Sequence, residues 1–313
     1  MPHGPVMIDL KGFGILPIEE EILKHPMVCG VILFAKNCQN TEQLKGLIAK
    51  VRKLRPEILF AVDREGGHVQ RFQKSGFRAW PAARAYGEMY DHYGSGIAQD
   101  YTERQGTGIG EELSELGIDI NFAPVLDLHS DNEVIGGLDR AFHSDSKTCA
   151  EIAEWIIRGM KSKGVKVTGK HFPTHSVCVE DSHEKKPVSD IDEKTLFEKH
   201  LLVYQILIEK KLLDVIMMAH ITYTAVDSEN PAGFSKIWIG ILRERLGFKG
   251  VLATDCLSMK GADVDNIKDL ELNIKARVLK ALHAECDIAL LCNQPPELLL
   301  KVLNALKQDF TPN

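Results

Sequence analysis

The chain has 313 residues, 44% of them hydrophobic, and a net charge of −6 at pH 7, which is enough apolar material for one large α/β unit or two smaller ones. Its 38 Lys and Arg are scattered against 44 Asp and Glu, so there is no basic stripe for a phosphate backbone, and nucleic acid is not an expected partner. No apolar run reaches bilayer length, and Met1-Pro2-His3-Gly4-Pro5 lacks the basic start and apolar core of a signal peptide, so no membrane partner and a cytoplasmic location are expected.

Read from the N-terminus, short apolar, β-branched runs alternate with longer stretches of helical period. The expected strands are Val6–Leu10, Val28–Phe34, Ile58–Asp63, Ile118–Pro124, Val165–His171, Val215–His220, Val251–Asp255 and Ile288–Cys292. Between them, helical spacing covers Ile18–Lys24, Thr41–Leu54, Ile97–Leu116, Ser146–Lys163, Glu193–Lys211, Lys236–Leu246, Ile267–His283 and Pro296–Lys307. Such alternation predicts a single (β/α)8 TIM barrel over 1–313 rather than a doubly wound open sheet. The polar residues support closure: Asp63, Asp127, Lys170, His171, His220, Asp255 and Asn293 all fall at the C-terminal ends of strands, where a barrel brings them to one mouth. No linker, repeat or low-complexity tract divides the chain.

The third strand end reads Asp63-Arg64-Glu65-Gly66-Gly67-His68-Val69-Gln70-Arg71. Asp63 can accept two hydrogen bonds from adjacent hydroxyls, the paired glycines let a ligand approach the backbone, and Arg71 can hold a further oxygen, a pattern suited to polyols. The plainer alternative is a turn at Gly66-Gly67 with a surface pair between Glu65 and Arg71. At the fifth strand end, Lys170 and His171 are donors for substrate hydroxyls. His175 follows His171 by four residues, but Pro173 lies between them, so no helix sets the pair up for a metal, and no metal is expected.

In Asp181-Ser182-His183 residues i and i+2 of an extended segment point the same way. Asp181 can therefore fix the tautomer of His183 and raise its basicity, an acid/base arrangement, though an exposed polar loop reads the same alone. Asp255 leaves a buried apolar strand and is placed to act as nucleophile, general base or metal ligand, or simply to cap the next helix. The seven cysteines show no C-x-x-C pairing and read as reduced core thiols.

Together, Val62 to Arg71, Asn121-Phe122-Ala123-Pro124-Val125-Leu126-Asp127, Asp139-Arg140-Ala141-Phe142-His143-Ser144-Asp145, Lys170-His171-Phe172-Pro173, Asp181-Ser182-His183 and Gly247 through Met259 stand in an order that resembles the bacterial β-N-acetylglucosaminidases of glycoside hydrolase family 3. The likeness spans nearly the whole chain and is nearest to the cytoplasmic single-domain members of peptidoglycan recycling. It implies a cofactor-free, retaining exo-glycosidase that removes terminal β-linked N-acetylglucosamine from muropeptides, and a monomer. By position, it implies Asp255 as nucleophile, His183 as acid/base with Asp181 as its partner, and Asp63, Arg71, Arg140, Lys170 and His171 around the sugar. Thr174-His175-Ser176 replaces the family's usual Gly-His-Gly, which implies strain if those positions need φ > 0. Cys256 stands where many members carry a second aspartate, and the stretch Ile135 to Arg140 is longer than usual. A β-N-acetylglucosaminide phosphorylase, with phosphate as acceptor beside a neutral histidine, and a catalytically silent sugar-binding barrel are the alternatives.

Overall fold

In the computed structural model, which describes residues 4–73, 76–178 and 186–310, all eight expected runs become parallel strands of one sheet: β1 (Val6–Asp9), β2 (Val28–Leu33), β3 (Leu59–Val62), β4 (Ile120–Asn121), β5 (Lys166–Phe172), β6 (Val215–Met218), β7 (Val251–Thr254) and β8 (Ala289–Leu291). Each strand pairs with its neighbours in chain order, and β8 returns to β1 with Val6 opposite Ala289. A bridge from Ala253 to Ile288 joins β7 to β8, reinforced by Thr254 N–H to Ile288 O at 2.9 Å. The sheet is closed, as a (β/α)8 barrel requires.

Strand alternation divides the core in two. Met7, Cys29, Ile32, Ala61, Ile120, Val215, Met217, Ala253 and Leu290 form a cluster drawn from the strands and fill the barrel interior. Their neighbours Val6, Ile8, Val31, Phe60, Val62, Ile216 and Leu252 belong to the larger cluster shared with the helices. Each such side chain, fully buried, contributes roughly 1.5–3 kcal/mol. An aromatic group thickens the wall behind β5: Phe172 meets Tyr204 edge-on at 5.1 Å and Trp238 at 5.8 Å between centroids.

The helices differ from expectation in detail. Ala83–Tyr93 is helical although Gly87 interrupts its apolar period and Gly94 ends it. The stretches after β5 and β6 carry wide turns, Leu196–His200 and Ile241–Arg245, where the i→i+5 spacing lets the chain follow the barrel's curve. Asn40, Asp145, Asp192 and Asp269 cap the helices that follow them. Asp269, not Asp255, therefore caps the helix after β7, accepting from Leu272 N–H at 2.9 Å.

Beyond β3 the chain makes a short antiparallel ribbon, Arg64–Gly66 with Val69–Gln70. The fully buried Arg64 holds it, donating to Glu112 at 2.6 Å and to the carbonyls of Arg71 and Arg78 at 3.0 and 2.7 Å. Gly66 and Gly67 have φ of 105° and 59°. A Cβ at Gly66 would lie 2.2 Å from the Pro81 carbonyl oxygen, and one at Gly67 2.6 Å from the Ala82 Cβ. The two glycines thus admit the chain's own backbone rather than a ligand, which corrects half of the polyol reading. Gly66→Ala adds both the clash and the positive-φ strain, and we expect it to lower stability by about 1–3 kcal/mol, read as a lower urea midpoint with an unchanged slope.

Candidate active site

The C-terminal ends of the strands surround a cavity of about 990 Å³. Asp63 follows β3, Lys170 and His171 belong to β5, Asp255 follows β7, Arg71 ends the ribbon, and Arg140 comes from the long connection after β4. All six line the cavity. The structure thus gathers six of the eight expected residues; Asp181 and His183 lie outside the described residues.

Charge organises one wall. Lys170, with its side chain only 3% exposed, puts Nζ 2.8 Å from Asp63 Oδ1 and 2.7 Å from Glu65 Oε1. Arg140 grips the same Glu65 in a fork, Nε to Oε2 and Nη2 to Oε1, both at 2.9 Å, and Arg71 reaches Asp63 Oδ2 at 3.2 Å. Two carboxylates therefore face three cations, and planar Arg–carboxylate pairing fixes orientation as well as charge. Burial alone would raise both carboxyl pKa values, but the cations outweigh it: Arg140 and Lys170 bring Glu65 down to about 2, and Lys170 and Arg71 hold Asp63 below its usual value. Burial likewise opposes charge on Lys170, yet Asp63 and Glu65 push its pKa up. The alternative surface pair of Glu65 with Arg71 does not form; the two residues bind different partners inside the mouth.

A second buried carboxylate sets the imidazoles. Asp127 accepts from His171 Nδ1 at 2.7 Å and from the backbone N–H of His171 and His175 at 3.2 and 2.5 Å. With Nδ1–H committed to a carboxylate, His171 keeps Nε2 for a ligand. Burial would raise the Asp127 pKa, and the bonds and charge from His171 and His175 bring it below its usual value.

Asp255 lines the same cavity. Its Oδ1 accepts the Cys256 N–H at 2.7 Å, and His220 Nε2–H donates to its backbone carbonyl at 3.0 Å, so one buried imidazole braces the turn. Burial opposes ionisation of Asp255, but the nearby His171 and His220, the Cys256 N–H and Lys170 leave its pKa lowered. The carboxylate is anionic in a largely desolvated cleft, the state a nucleophile needs.

Thr174 and Ser176 are not among the residues with positive φ, so replacing glycine there adds no left-handed strain. The hydroxyls instead bind the chain: Ser176 N–H donates to Thr174 Oγ1 at 3.2 Å and Ser176 Oγ to the Leu128 carbonyl at 2.7 Å. The stretch before Arg140 is folded around Asn132, whose Oδ1 accepts from Val134 and Ile135 N–H at 2.7 and 2.9 Å, and it delivers Arg140 to the cavity. Sequence reasoning missed Glu65 as a site residue. It also left Asp127 and His220 without roles, although their position at strand ends was the available signal. No group of three or more His, Cys, Asp or Glu among the described residues is disposed to hold a metal ion.

Residues 12–310 match the Glycosyl hydrolase family 3 N terminal domain. A β-hexosaminidase of Methylobacillus flagellatus is 41% identical over 94% of this chain and 82% of its own length. One from Chromobacterium violaceum is 42% identical over 95% and 81%. Among solved structures, NagZ from Neisseria gonorrhoeae in complex with N-trifluoroacetyl-D-glucosamine superposes with a TM-score of 0.88 at 39% identity, covering 100% of this chain and 87% of that one.

Two outcomes follow from the charged wall. Glu65→Ala strands Arg140 and half of Lys170, and should destabilise the fold by about 3–5 kcal/mol. Because the folded pKa of Glu65 is depressed from 4.5 to about 2, its contribution is complete above the unfolded value and lost as pH falls toward the folded one. Chemical denaturation between pH 7 and pH 2 should therefore show wild type and variant converging at the acid end.

Proposed function

The chain belongs to glycosyl hydrolase family 3, and on that premise we propose that it is a retaining exo-β-N-acetylglucosaminidase that releases terminal N-acetylglucosamine from muropeptides. The observation that carries the proposal is the ionised Asp255 in a cavity that the Asp63, Arg71, Arg140, Lys170 and His171 array also lines. Sugar hydroxyls are paired donors and acceptors. Asp63 offers lone pairs to two adjacent hydroxyls, while Lys170, Arg71 and the free Nε2 of His171 donate or accept around them. Arg140, held by Glu65, closes the ring of polar groups.

In this reading Asp255 attacks the anomeric carbon as the glycosidic bond breaks, and the oxocarbenium-like centre is captured as a glycosyl ester. His183, oriented by Asp181, protonates the departing oxygen and then removes a proton from the water that hydrolyses the ester. The net result of two inversions is retention. Donors already held in place around the sugar lower the barrier without reorganising during the reaction. The proposal treats 1–313 as one catalytic barrel, active as a monomer in the cytoplasm. No helix among the described residues is long and apolar enough to cross a membrane.

Release of 4-nitrophenol from its N-acetyl-β-D-glucosaminide tests the assignment. Wild type should turn over this substrate and not the plain β-glucoside, and Asp255→Ala should lose at least about 10³-fold in kcat. Equal turnover by the variant removes Asp255 as nucleophile, and binding without turnover by wild type favours the silent sugar-binding barrel. If added phosphate diverts the product to the sugar 1-phosphate, the enzyme is a phosphorylase.

The pH profile has a defined sign on each side. Asp255 must be ionised and its pKa lies below the ordinary 3.8, so no loss from this group is expected until the pH drops below that value. His183 must be protonated for the first step, so the rate falls as pH rises through the pKa of the His183–Asp181 pair. A rate that stays flat through neutral and mildly alkaline pH would discard His183 as the acid.

A further inference from the structure

All seven cysteines are free thiols, and six are buried; Cys256 is the exception, half-buried in the wall of the sugar cavity next to Asp255. Cys292 lines the same cavity from the end of β8. The two segments are adjacent, since β7 and β8 join through the Ala253–Ile288 bridge and Leu257 N–H donates to the Leu290 carbonyl at 2.7 Å. The side chain of Cys256 packs against the buried cluster that contains Cys292. The two thiols thus stand as neighbours across the β7–β8 seam in the wall of one cavity, Cys256 half-buried and Cys292 buried.

We propose that Cys256 and Cys292 are an oxidisable dithiol within the sugar cavity, with Cys256 the thiol that attacks a hydroperoxide and Cys292 the thiol that resolves it into a disulfide. An accessible thiolate beside a resolving cysteine is the arrangement that favours reversible oxidation over irreversible damage. The surroundings suit these roles. The neighbouring Cys292, opposed by burial and aided by Ser258, holds the Cys256 thiol below its usual value, while burial pushes the Cys292 thiol well up. Attack therefore begins at Cys256, the thiol with the larger thiolate fraction and the open approach.

In the first step a Cys256 S–O bond forms as the peroxide O–O bond breaks, and the departing oxygen takes a proton and leaves as water or alcohol. In the second, Cys292 sulfur attacks the Cys256 sulfur. The S–S bond forms, the S–O bond breaks, and the hydroxyl leaves as water with the Cys292 proton. The two thiols lose two electrons and two protons, and the peroxide gains them.

The disulfide reaches the reacting centre through a short path. Cys256 supplies the N–H bonded to Asp255 Oδ1 at 2.7 Å, and the Cys292 carbonyl accepts from Ser258 Oγ, which is itself bound by Gln294 Nε2 at 2.8 Å. Drawing the sulfurs to a bond of about 2.05 Å shifts both turns, so the oxidised protein loses glycosidase activity and recovers it on reduction.

The test treats the reduced full chain with hydrogen peroxide, blocks remaining thiols with N-ethylmaleimide, and combines intact mass, peptide mapping and 4-nitrophenyl glycoside turnover. The expected result is a loss of ~2 Da, the two hydrogens removed in disulfide formation, with a Cys256–Cys292 cross-linked peptide. A parallel fall in rate of more than about tenfold should be reversed by dithiothreitol, and N-acetylglucosamine in the cavity should slow the oxidation. Cys292→Ser should yield sulfenic or sulfinic acid at Cys256 and no cross-link. Wild type in which both thiols remain open to maleimide, or whose disulfide joins other cysteines, overturns the proposal. So does a Cys256→Ser protein that loses the same fraction of its own untreated rate. The activity arm rests on the glycosidase reading, but the mass and mapping arm needs no substrate, so a failure of either idea is seen separately.

Discussion

One ammonium group holds the mouth of this barrel together. Lys170 Nζ lies within 2.8 Å of one carboxylate and 2.7 Å of another, and without it Asp63 and Glu65 would repel each other in a desolvated space. The pairing spans more than one hundred residues, from the end of β3 to β5. Through Glu65 it recruits Arg140 and with it the connection after β4; through Asp63 it recruits Arg71 and the ribbon. Loops that could otherwise take many conformations are tied to two adjacent faces of a rigid sheet. The same charges that hold the wall are the ones proposed to meet the sugar, so stability and binding draw on a single network.

Around that network stand buried groups whose work is orientation. Asp127 sets the His171 tautomer and ties down the His175 backbone; His220 braces the carbonyl of Asp255; Arg64 ties the ribbon to Glu112. Each lies just outside the reacting space and acts on a residue inside it. In a low-dielectric cleft, donors aligned before the substrate arrives are worth more than equally polar groups that must reorganise. The depressed pKa values of Asp63, Glu65, Asp127 and Asp255 share one origin: burial that would neutralise each carboxylate is outweighed by cations and N–H groups placed by neighbouring strands.

Much of this was legible before any coordinates. Every barrel strand stands within two residues of its expected start, because strands buried on both faces leave continuous apolar runs that few other elements produce. Helix ends were less legible: Ala83–Tyr93 was hidden by its internal glycine, and the wide turns at Leu196–His200 and Ile241–Arg245 have no compositional mark. Within the site, Asp63, Lys170, His171 and Asp255 were visible as polar residues ending apolar strands. Arg71 and Arg140 were singled out by their motifs, but neither motif revealed which carboxylate each binds. The plainer alternative paired Glu65 with Arg71, its near neighbour, whereas its partners lie 75 residues away at Arg140 and on β5 at Lys170.

The sequence by itself determined the barrel, the order of its strands, and the kinds of side chain delivered to their C-terminal ends, because hydrophobic periodicity and the reach of short connections are local properties of the chain. It also determined the family likeness, carried by motifs in a common order. Only the tertiary structure decided which charges neutralise which, which imidazole nitrogen stays available, that the paired glycines accommodate Pro81 and Ala82, and that two cysteines from separate segments share a cavity with Asp255. Closing the barrel brings together residues far apart in sequence, and burial makes their pairing obligatory where an exposed chain would leave it to water.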